Sequence, residues 1–565
     1  MIVSSLRTHL LFLSVIVAIG SSPLPAQSLR LPPRLDINEV VRWRQDLAAL
    51  DTIVSRYHRE PWHAVSTEEF HARLDDLSRQ LPELALPQLL GRLAQLMATI
   101  GDGHTGLSFT DPRLGMESVP LRFGVHPDGV FIQAAAPEVR GLVGAEVRRI
   151  GGHHVADVLG AVRAASSGSS PSERGAFLHF RLARPAFLWG IGMARRADSL
   201  ELALRLDSGV DTMVTLGTMG RRPDGGAISG GIDYTPGAAE GSGWIDAQPQ
   251  GAKPLWLRST DGPFWSAPLP DLAAVYLGLR QIGDTKAERL ETFVRRIVTA
   301  AAEQPAVERL VIDLRLNGGG DNTLLPPLMR VIAGSRFAAA RGGLFVLTSS
   351  LTQSAAQNFV NLLERYANAI IVGEPTGERP NHYGEGVRFG LPHHGVSVGL
   401  STQWWQDLDP RDSRDATDPE VAAPLLFSDY RSGRDPALAA IRARDWSVRW
   451  EDVLDRVLAT APSAADTAWS AFRHDPWRRF VDPQRGLEEL LARRSAAEDS
   501  GGVRRVAGWM LELAPADPVA RVALADLQLA IGDSVGALNH LRAAQARHPR
   551  NAEVGHRIRA IVRTP

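Results

Sequence analysis

Apolar residues Leu89, Leu93, Leu96 and Ile100 recur at three- and four-residue spacings, so they share one face of a predicted helix. Gly101 is a stop signal directly after that face. Residues 37–100 as a whole read as helices. Over 120–216 the pattern shifts to short β-like runs, among them Val130-Phe131-Ile132, Val147-Arg148-Arg149-Ile150 and Leu200–Leu206. The stretch 217–254 is rich in Gly, Pro and Ser without periodicity and reads as a linker or long surface loop. From residue 272 strands alternate with helices. The predicted strands are Leu272–Leu279, Leu310–Leu314, Leu344–Leu347 and Ala369–Val372, and the predicted helices cover 287–302, 323–333 and 354–367. Such alternation predicts a mostly parallel sheet covered on both faces, an α/β domain.

The C-terminal part, about 80 residues, returns to a helical pattern. Pro515 and Pro549 stand 34 residues apart, and Ala525, Gly532, Ala537, Leu541 and Ala544 fall where a tetratricopeptide unit places its packing residues. A second, weaker repeat spans 484–515. The region reads as a helical appendage on the main body, with a module that binds a protein partner as the second reading.

At the other end, Arg7, the apolar run Leu10–Ile19 and the small and turn residues Gly20–Ala26 follow the order of a secretory signal peptide. The apolar run is short for a bilayer span, and cleavage after Ala26 is expected. Nothing later in the chain is long and apolar enough for a membrane helix, so the mature protein is expected in the periplasm or outside the cell.

With 565 residues the chain has room for three or four domains at roughly 100–200 residues each. Sixty-two basic and 63 acidic residues leave a net charge of -1, which argues against a nucleic-acid partner. The chain has no Cys, which removes disulfides, thiolate metal sites, cysteine nucleophiles and a lipoprotein anchor together. Lys occurs only at 253 and 286, so any lysine-dependent mechanism has two candidates.

The junction Leu344–Ala355 is where chemistry is expected. Ser354 lies between a buried-looking strand and a helix, and N–H groups at a helix start can stabilise an anion. Ala355 N–H is then one oxyanion donor, and the run Gly318–Gly320 after the preceding strand offers the second. A Ser in this position can equally be a helix N-cap. A serine nucleophile needs a base. His104, in the tight loop Gly101–Thr105, and His382, in a Gly-rich loop 28 residues after Ser354, are the two candidates. No metal-binding array such as HExxH is present, and neither a metal nor another cofactor is expected.

Five segments in order resemble the tail-specific (C-terminal processing) serine proteases, in the branch that includes the tricorn core and the interphotoreceptor retinoid-binding protein repeats. They are IGDGHT (100–105), GAEVRRIGGHHV (144–155), LVIDLRLNGGGDN (310–322), LTSSLTQSAAQNF (347–359), and IVGEPTGERPNHYGEG (371–386) running on to DPRDSRDATDPEV (409–421). The resemblance spans about residues 37–440. It implies a helical N-terminal region, a divergent PDZ-like β module and a crotonase-like α/β sheet domain. It also implies Ser354 as nucleophile with Gly319 and Ala355 as oxyanion donors.

One branch of the family places a lysine base about 25 residues after the serine. Here that neighbourhood holds Glu378 and Arg379, and arginine does not deprotonate usefully. The other branch implies His104 as base, assisted by an acidic residue before the Pro419-Glu420 motif, for which Asp412 is the match; His382 is the alternative base. Together with the signal-peptide and tetratricopeptide patterns, the resemblance divides the chain into 1–26 signal peptide, 27–115 helical region, 116–216 PDZ-like module, 217–254 loop, 255–445 peptidase core and 446–565 helical, TPR-like region. The implied activity is an exported serine endopeptidase acting on peptides or unfolded proteins. A ligand-binding protein on the same fold, or an esterase or amidase, is the alternative.

Overall fold

The computed structural model describes residues 34–109, 111–219, 243–248, 253–258, 262–407 and 409–563. The predicted signal peptide and most of the predicted 217–254 loop lie outside these residues. Three helices come first, α1 (Ile37–Tyr57), α2 (Thr67–Gln80) and α3 (Leu86–Ala98). Asp36 starts α1 by accepting the N–H groups of Asn38 and Glu39, both at 2.8 Å, donors that a helix start otherwise leaves unpaired. The expected apolar face of α3 is buried, and Gly101 leaves the helix with φ +86°. The short strand β1 (Gly106–Ser108) follows.

The β-like stretch forms one antiparallel sheet from β2 (Leu121–His126), β3 (Gly129–Ala135), β4 (Glu146–Ile150), β5 (His153–His154), β6 (Ser199–Arg205), β7 (Asp211–Gly217) and β8 (Ile245–Asp246). The order is β2-β3-β4-β6-β7, with β5 on β4 and β8 on β3. Four helices interrupt it, α4 (Val155–Ala164), α5 (Pro171–Gly175), α6 (Leu178–Leu182) and α7 (Pro185–Gly190). The hydrophobic pattern did not predict them; α5–α7, at five or six residues each, hold barely one helical period to read. Their apolar residues, including Leu178, Leu182 and Phe187, join the same core as α1–α3 and the β sheet.

The expected α/β sheet is built from β9 (Phe264–Leu269), β10 (Ala274–Leu279), β11 (Arg309–Asp313), β12 (Leu344–Thr348) and β13 (Ile370–Gly373), with helices α8 (Leu290–Ala302), α9 (Leu325–Ala333), α10 (Arg336–Ala339) and α11 (Ala355–Tyr366) between strands. A hairpin, β14 (His382–Gly390) and β15 (Ser397–Trp405), leaves this sheet before β16 (Val421–Ala422) closes its edge. The six-strand order is β16-β13-β12-β11-β10-β9, parallel except for β9. Leu310, Ile312, Leu344 and Val346 face α8, α9 and α11, while Val311, Phe345, Leu347 and Ile370 face the opposite layer. Burial on both faces explains why these strands read as unbroken apolar runs.

That opposite layer includes α13 (Pro436–Ala443), which follows α12 (Phe427–Ser432). The C-terminal region consists of α14 (Trp450–Thr460), α15 (Ala465–Arg473), α16 (Gln484–Ala496), α17 (Ser500–Leu513), α18 (Pro518–Ala530), α19 (Ser534–Arg547) and α20 (Ala552–Arg563). Ala525, Ala537, Leu541 and Ala544, the expected packing residues, are buried together where α18 meets α19. The region docks on the sheet domain through Arg478, which binds Glu420 at 2.9 Å, and through Trp477, edge-on to Trp446. No described helix is long and apolar enough to cross a membrane.

Candidate active site

Strand β12 ends at Thr348, and the turn beyond it is pinned to the end of β11. Ser349 Oγ donates to Arg315 O (2.6 Å), Thr352 Oγ1 to Leu314 O (2.8 Å) and Gln353 N–H to Asn317 O (3.1 Å). The turn delivers Ser354 to the start of α11 with φ +54° and ψ -128°. A non-glycine residue in this region costs about 1–3 kcal/mol and persists only where its surroundings impose it. Ser354 occupies the N-cap position, yet its hydroxyl makes no capping hydrogen bond. Its own N–H donates to the carboxylate of Glu378.

Gly319, φ +110°, passes directly over the serine. A methyl group there would lie 2.5 Å from Ser354 Cβ and 3.0 Å from both Ser354 Oγ and Ala355 N. Only glycine fits that approach. Ala355 N–H opens α11 beside it. The N–H of Gly319 donates to Asn317 Oδ1 at 2.9 Å, so this expected oxyanion donor already has an acceptor in this conformation.

His104 sits in a loop organised by Asp102. One carboxylate oxygen of Asp102 accepts the N–H groups of His104 (3.1 Å) and Thr105 (2.8 Å) and the hydroxyl of Ser401 (2.6 Å). The other accepts His58 Nε2–H at 2.9 Å, the tautomer fixed because His58 Nδ1 accepts the N–H of Glu60. Burial raises the Asp102 carboxyl, but His58, Ser401 and Thr105 outweigh it and hold it below its ordinary value. Strand β1, next in the chain, pairs with β15 from Gly106↔Gly399 to Ser108↔Ser397. This pairing brings the loop to the sheet domain.

The carboxylate that meets His104 is Glu378, at 3.2 Å from Nδ1. Glu378 is 1% exposed, and its second oxygen lies 3.5 Å from His382 Nε2. His382 contributes Nδ1–H to Arg379 O at 3.1 Å. The His104 and His382 rings lie nearly parallel with centroids 6.5 Å apart. The loop bearing Glu378 is fixed by Gly377 N–H on Thr352 O (3.0 Å) and by Thr376, bonded to Thr417 in both directions. Burial would raise Glu378, but the charges of His382 and His104 and the Ser354 N–H pull it down to about 2. Burial alone would lower His104; the Glu378 charge overrides it and raises the imidazole to about 9.

Asp412 does not take the expected position beside His104. Its carboxylate pairs with Arg414 at 2.8 Å, which also binds Glu364 at 2.9 Å, while its backbone carbonyl accepts Asn381 Nδ2–H. Glu420, in the motif that guided that choice, binds Arg341 and Arg478 instead. A further carboxylate, Glu173 on α5, was missed from sequence because it lies in the interrupting helices. It packs so closely on Gly103 that a methyl there would come 1.6 Å from Glu173 Oε1, and it accepts the Ser169 N–H at 2.6 Å. Burial and the charge of Glu378 push Glu173 above its ordinary value. Lys286 lies exposed in the loop before α8.

A cavity of about 540 Å³ opens at His104, Glu173 and Gln353. No group of three His, Asp or Glu side chains able to hold a metal occurs among the described residues. The site thus presents a hydroxyl at a helix start, an imidazole, a buried carboxylate on its Nδ1 and backbone N–H groups around the hydroxyl.

No family model and no curated protein sequence matches the chain. Solved structures do. Mature CPAF aligns at TM-score 0.49 and 14% identity, over 71% of this chain and 96% of its own. The photosystem II D1 C-terminal processing protease gives 0.33 and 13%, over 71% and 96%. A putative S41 protease from Bacteroides fragilis gives 0.28 and 15%, over 60% and 85%. The protease names among these structures fall in the tail-specific, or S41, family that the sequence motifs resemble.

Proposed function

We propose that the chain is an exported serine endopeptidase of the tail-specific type, cutting peptide or protein substrates through an acyl-enzyme. One observation carries this reading: a single buried carboxylate, Glu378, touches both the His104 ring and the Ser354 N–H. That contact ties base to nucleophile and, by engaging Nδ1, leaves His104 Nε2 for the Ser354 hydroxyl.

Ser354 Oγ attacks the scissile carbonyl carbon while its proton passes to His104 Nε2. The new oxyanion is held by Ala355 N–H and by Gly319 N–H, the latter shared with Asn317 Oδ1. Collapse breaks the C–N bond, and His104 gives its proton to the departing amine. Water, deprotonated by His104, then attacks the acyl carbon; the ester C–O bond breaks, and His104 returns the proton to Ser354 Oγ. Glu378 holds the imidazole in register and stabilises its cation, the role first assigned to Asp412. In this reading residues 116–216 form the PDZ-like module, 446–565 a helical, TPR-like appendage on the enzyme with partner binding as its second role, and residues 1–26 the export signal.

Labelling the purified chain with a fluorophosphonate, followed by peptide mapping, tests the proposal. Modification at Ser354 that vanishes in Ser354→Ala supports it. A folded protein that takes no label at Ser354 overturns it.

A further inference from the structure

The cavity beside the site has an unusual charge balance. Its floor is the three-stranded sheet β1-β15-β14, whose residues facing the cavity are small, with Gly106 paired to Gly399 and Ser108 to Ser397. The exception is Arg388, opposite Gly399 in the same row. The facing wall comes from α5–α7 and carries Arg174 and Arg181 beside the rings of Phe177 and Phe180.

These arginines lack acidic partners. Arg174 donates through Nε to Gly168 O (2.9 Å) and through Nη2 to Ala98 O (3.3 Å). Arg181 donates to Ser166 Oγ (2.9 Å) and to Ala165 O. Neither they nor Arg388 forms a salt bridge with a described carboxylate. By contrast, the buried Arg315 binds Asp313 and Asp435, and the buried Arg478 binds Glu420. Burial, with no carboxylate beside it to oppose the effect, lowers Arg181 to about 10. Glu173, the one carboxylate among the described lining residues, is displaced toward its neutral form by burial and by Glu378, so it offsets little of this charge.

We propose that this cavity is a substrate subsite for a carboxylate within the peptide being cut, bound by Arg181, Arg174 and Arg388 beside the scissile bond. The inference rests on the peptidase reading for the identity of the ligand as a peptide. Guanidinium groups pair with carboxylates through two parallel hydrogen bonds, and a floor of glycine and serine leaves room for an extended segment. Two sources supply the group, an acidic side chain or the free C-terminus.

Binding, measured without turnover, separates this proposal from the peptidase reading. Calorimetry on full-length Ser354→Ala would compare three pentapeptides: acetyl-Ala-Ala-Glu-Ala-Ala-amide, its Gln analogue as the amide, and the Gln analogue as the free acid. A carboxylate-bearing peptide should bind about tenfold tighter than the uncharged one, as expected for charge-assisted hydrogen bonds. Preference for the Glu amide assigns the site to a side chain; preference for the free acid assigns it to the chain end. The preference should shrink to within about twofold in Arg388→Met, a change at an exposed strand position that keeps the fold, and in Arg181→Met. Equal binding of all three peptides overturns the proposal, as does a preference that survives both arginine changes in chains with unaltered circular dichroism. If fluorophosphonate labelling fails while the preference holds, the peptidase reading falls and the anion site stands.

Discussion

Glu378 stays charged where burial alone would neutralise it, because His104, His382 and the Ser354 N–H face it. The same contact sets the protonation of the base. With His104 raised to about 9, its imidazole is protonated at neutral pH, and a mechanism that needs it neutral speeds up as pH rises. The kcat/KM profile should climb through neutrality with an apparent pKa near 9, and a plateau from pH 7 upward would contradict the assignment. The ion pair acts on stability in the opposite sense. The raised His104 stabilises the fold fully below its ordinary 6.5 and loses that effect as pH passes about 9; the lowered Glu378 acts above its ordinary 4.5 and fades as pH falls through about 2. Melting temperature should therefore be highest between about pH 4.5 and 6.5, below the pH of greatest activity. Glu378→Gln should move the rate profile toward the ordinary histidine range and reduce kcat by about 10²-fold or more, whereas Asp412→Asn should leave both nearly unchanged. Motif order in the sequence pointed to Ser354 and His104 as candidates, and the structure brings both against Glu378. Glu378 was quoted only as the residue standing where another branch has lysine, since sequence distance from the Pro419-Glu420 motif says nothing about which carboxylate the folded loop turns inward.

Two short loops decide whether the nucleophile and the base hold their places. The first carries Gly319, whose φ of +110° and contact with Ser354 exclude any side chain. Gly319→Ala should abolish fluorophosphonate labelling and cost about 1–3 kcal/mol in denaturant unfolding. Labelling at the wild-type rate would show that the loop can shift away without consequence. The second is the Gly101–Thr105 loop, tied by Asp102 to His58, Ser401 and two backbone N–H groups. Asp102→Ala leaves these donors unpaired in a buried setting and should destabilise the chain by about 3 kcal/mol or more. The four central strands β10–β13 and the helices α8, α9 and α11 were legible, because they carry apolar runs or faces buried in the sheet domain, whereas β9, β16, α10 and the β14–β15 hairpin were not. The helices α4–α7 were not, and with them Glu173, Arg174 and Arg181 went unseen.

At the scale of the molecule, the C-terminal helices are fastened to the sheet domain through a charged hub. Glu420 pairs with Arg341 from the sheet domain and Arg478 from the helical region, and Trp446 meets Trp477 edge-on. Glu420→Ala strands two partly buried guanidinium groups and should lower thermal stability, by about 3–5 kcal/mol on the scale of broken buried pairs, while the Ser354 labelling rate changes little. Loss of labelling in a folded Glu420→Ala chain would mean that the helices contribute to the site itself. The pairing of β1 with β15 has a consequence for biosynthesis. The strand that follows the base is held by residues almost three hundred positions further on, and contacts of such sequence separation close late in folding. A chain still emerging from the ribosome, or one cut before residue 397, carries both the histidine and the serine without the clasp that joins their segments. If the chain is the serine peptidase proposed above, an unfinished copy lacks the pairing that sets its base and is inert until β15 has been made.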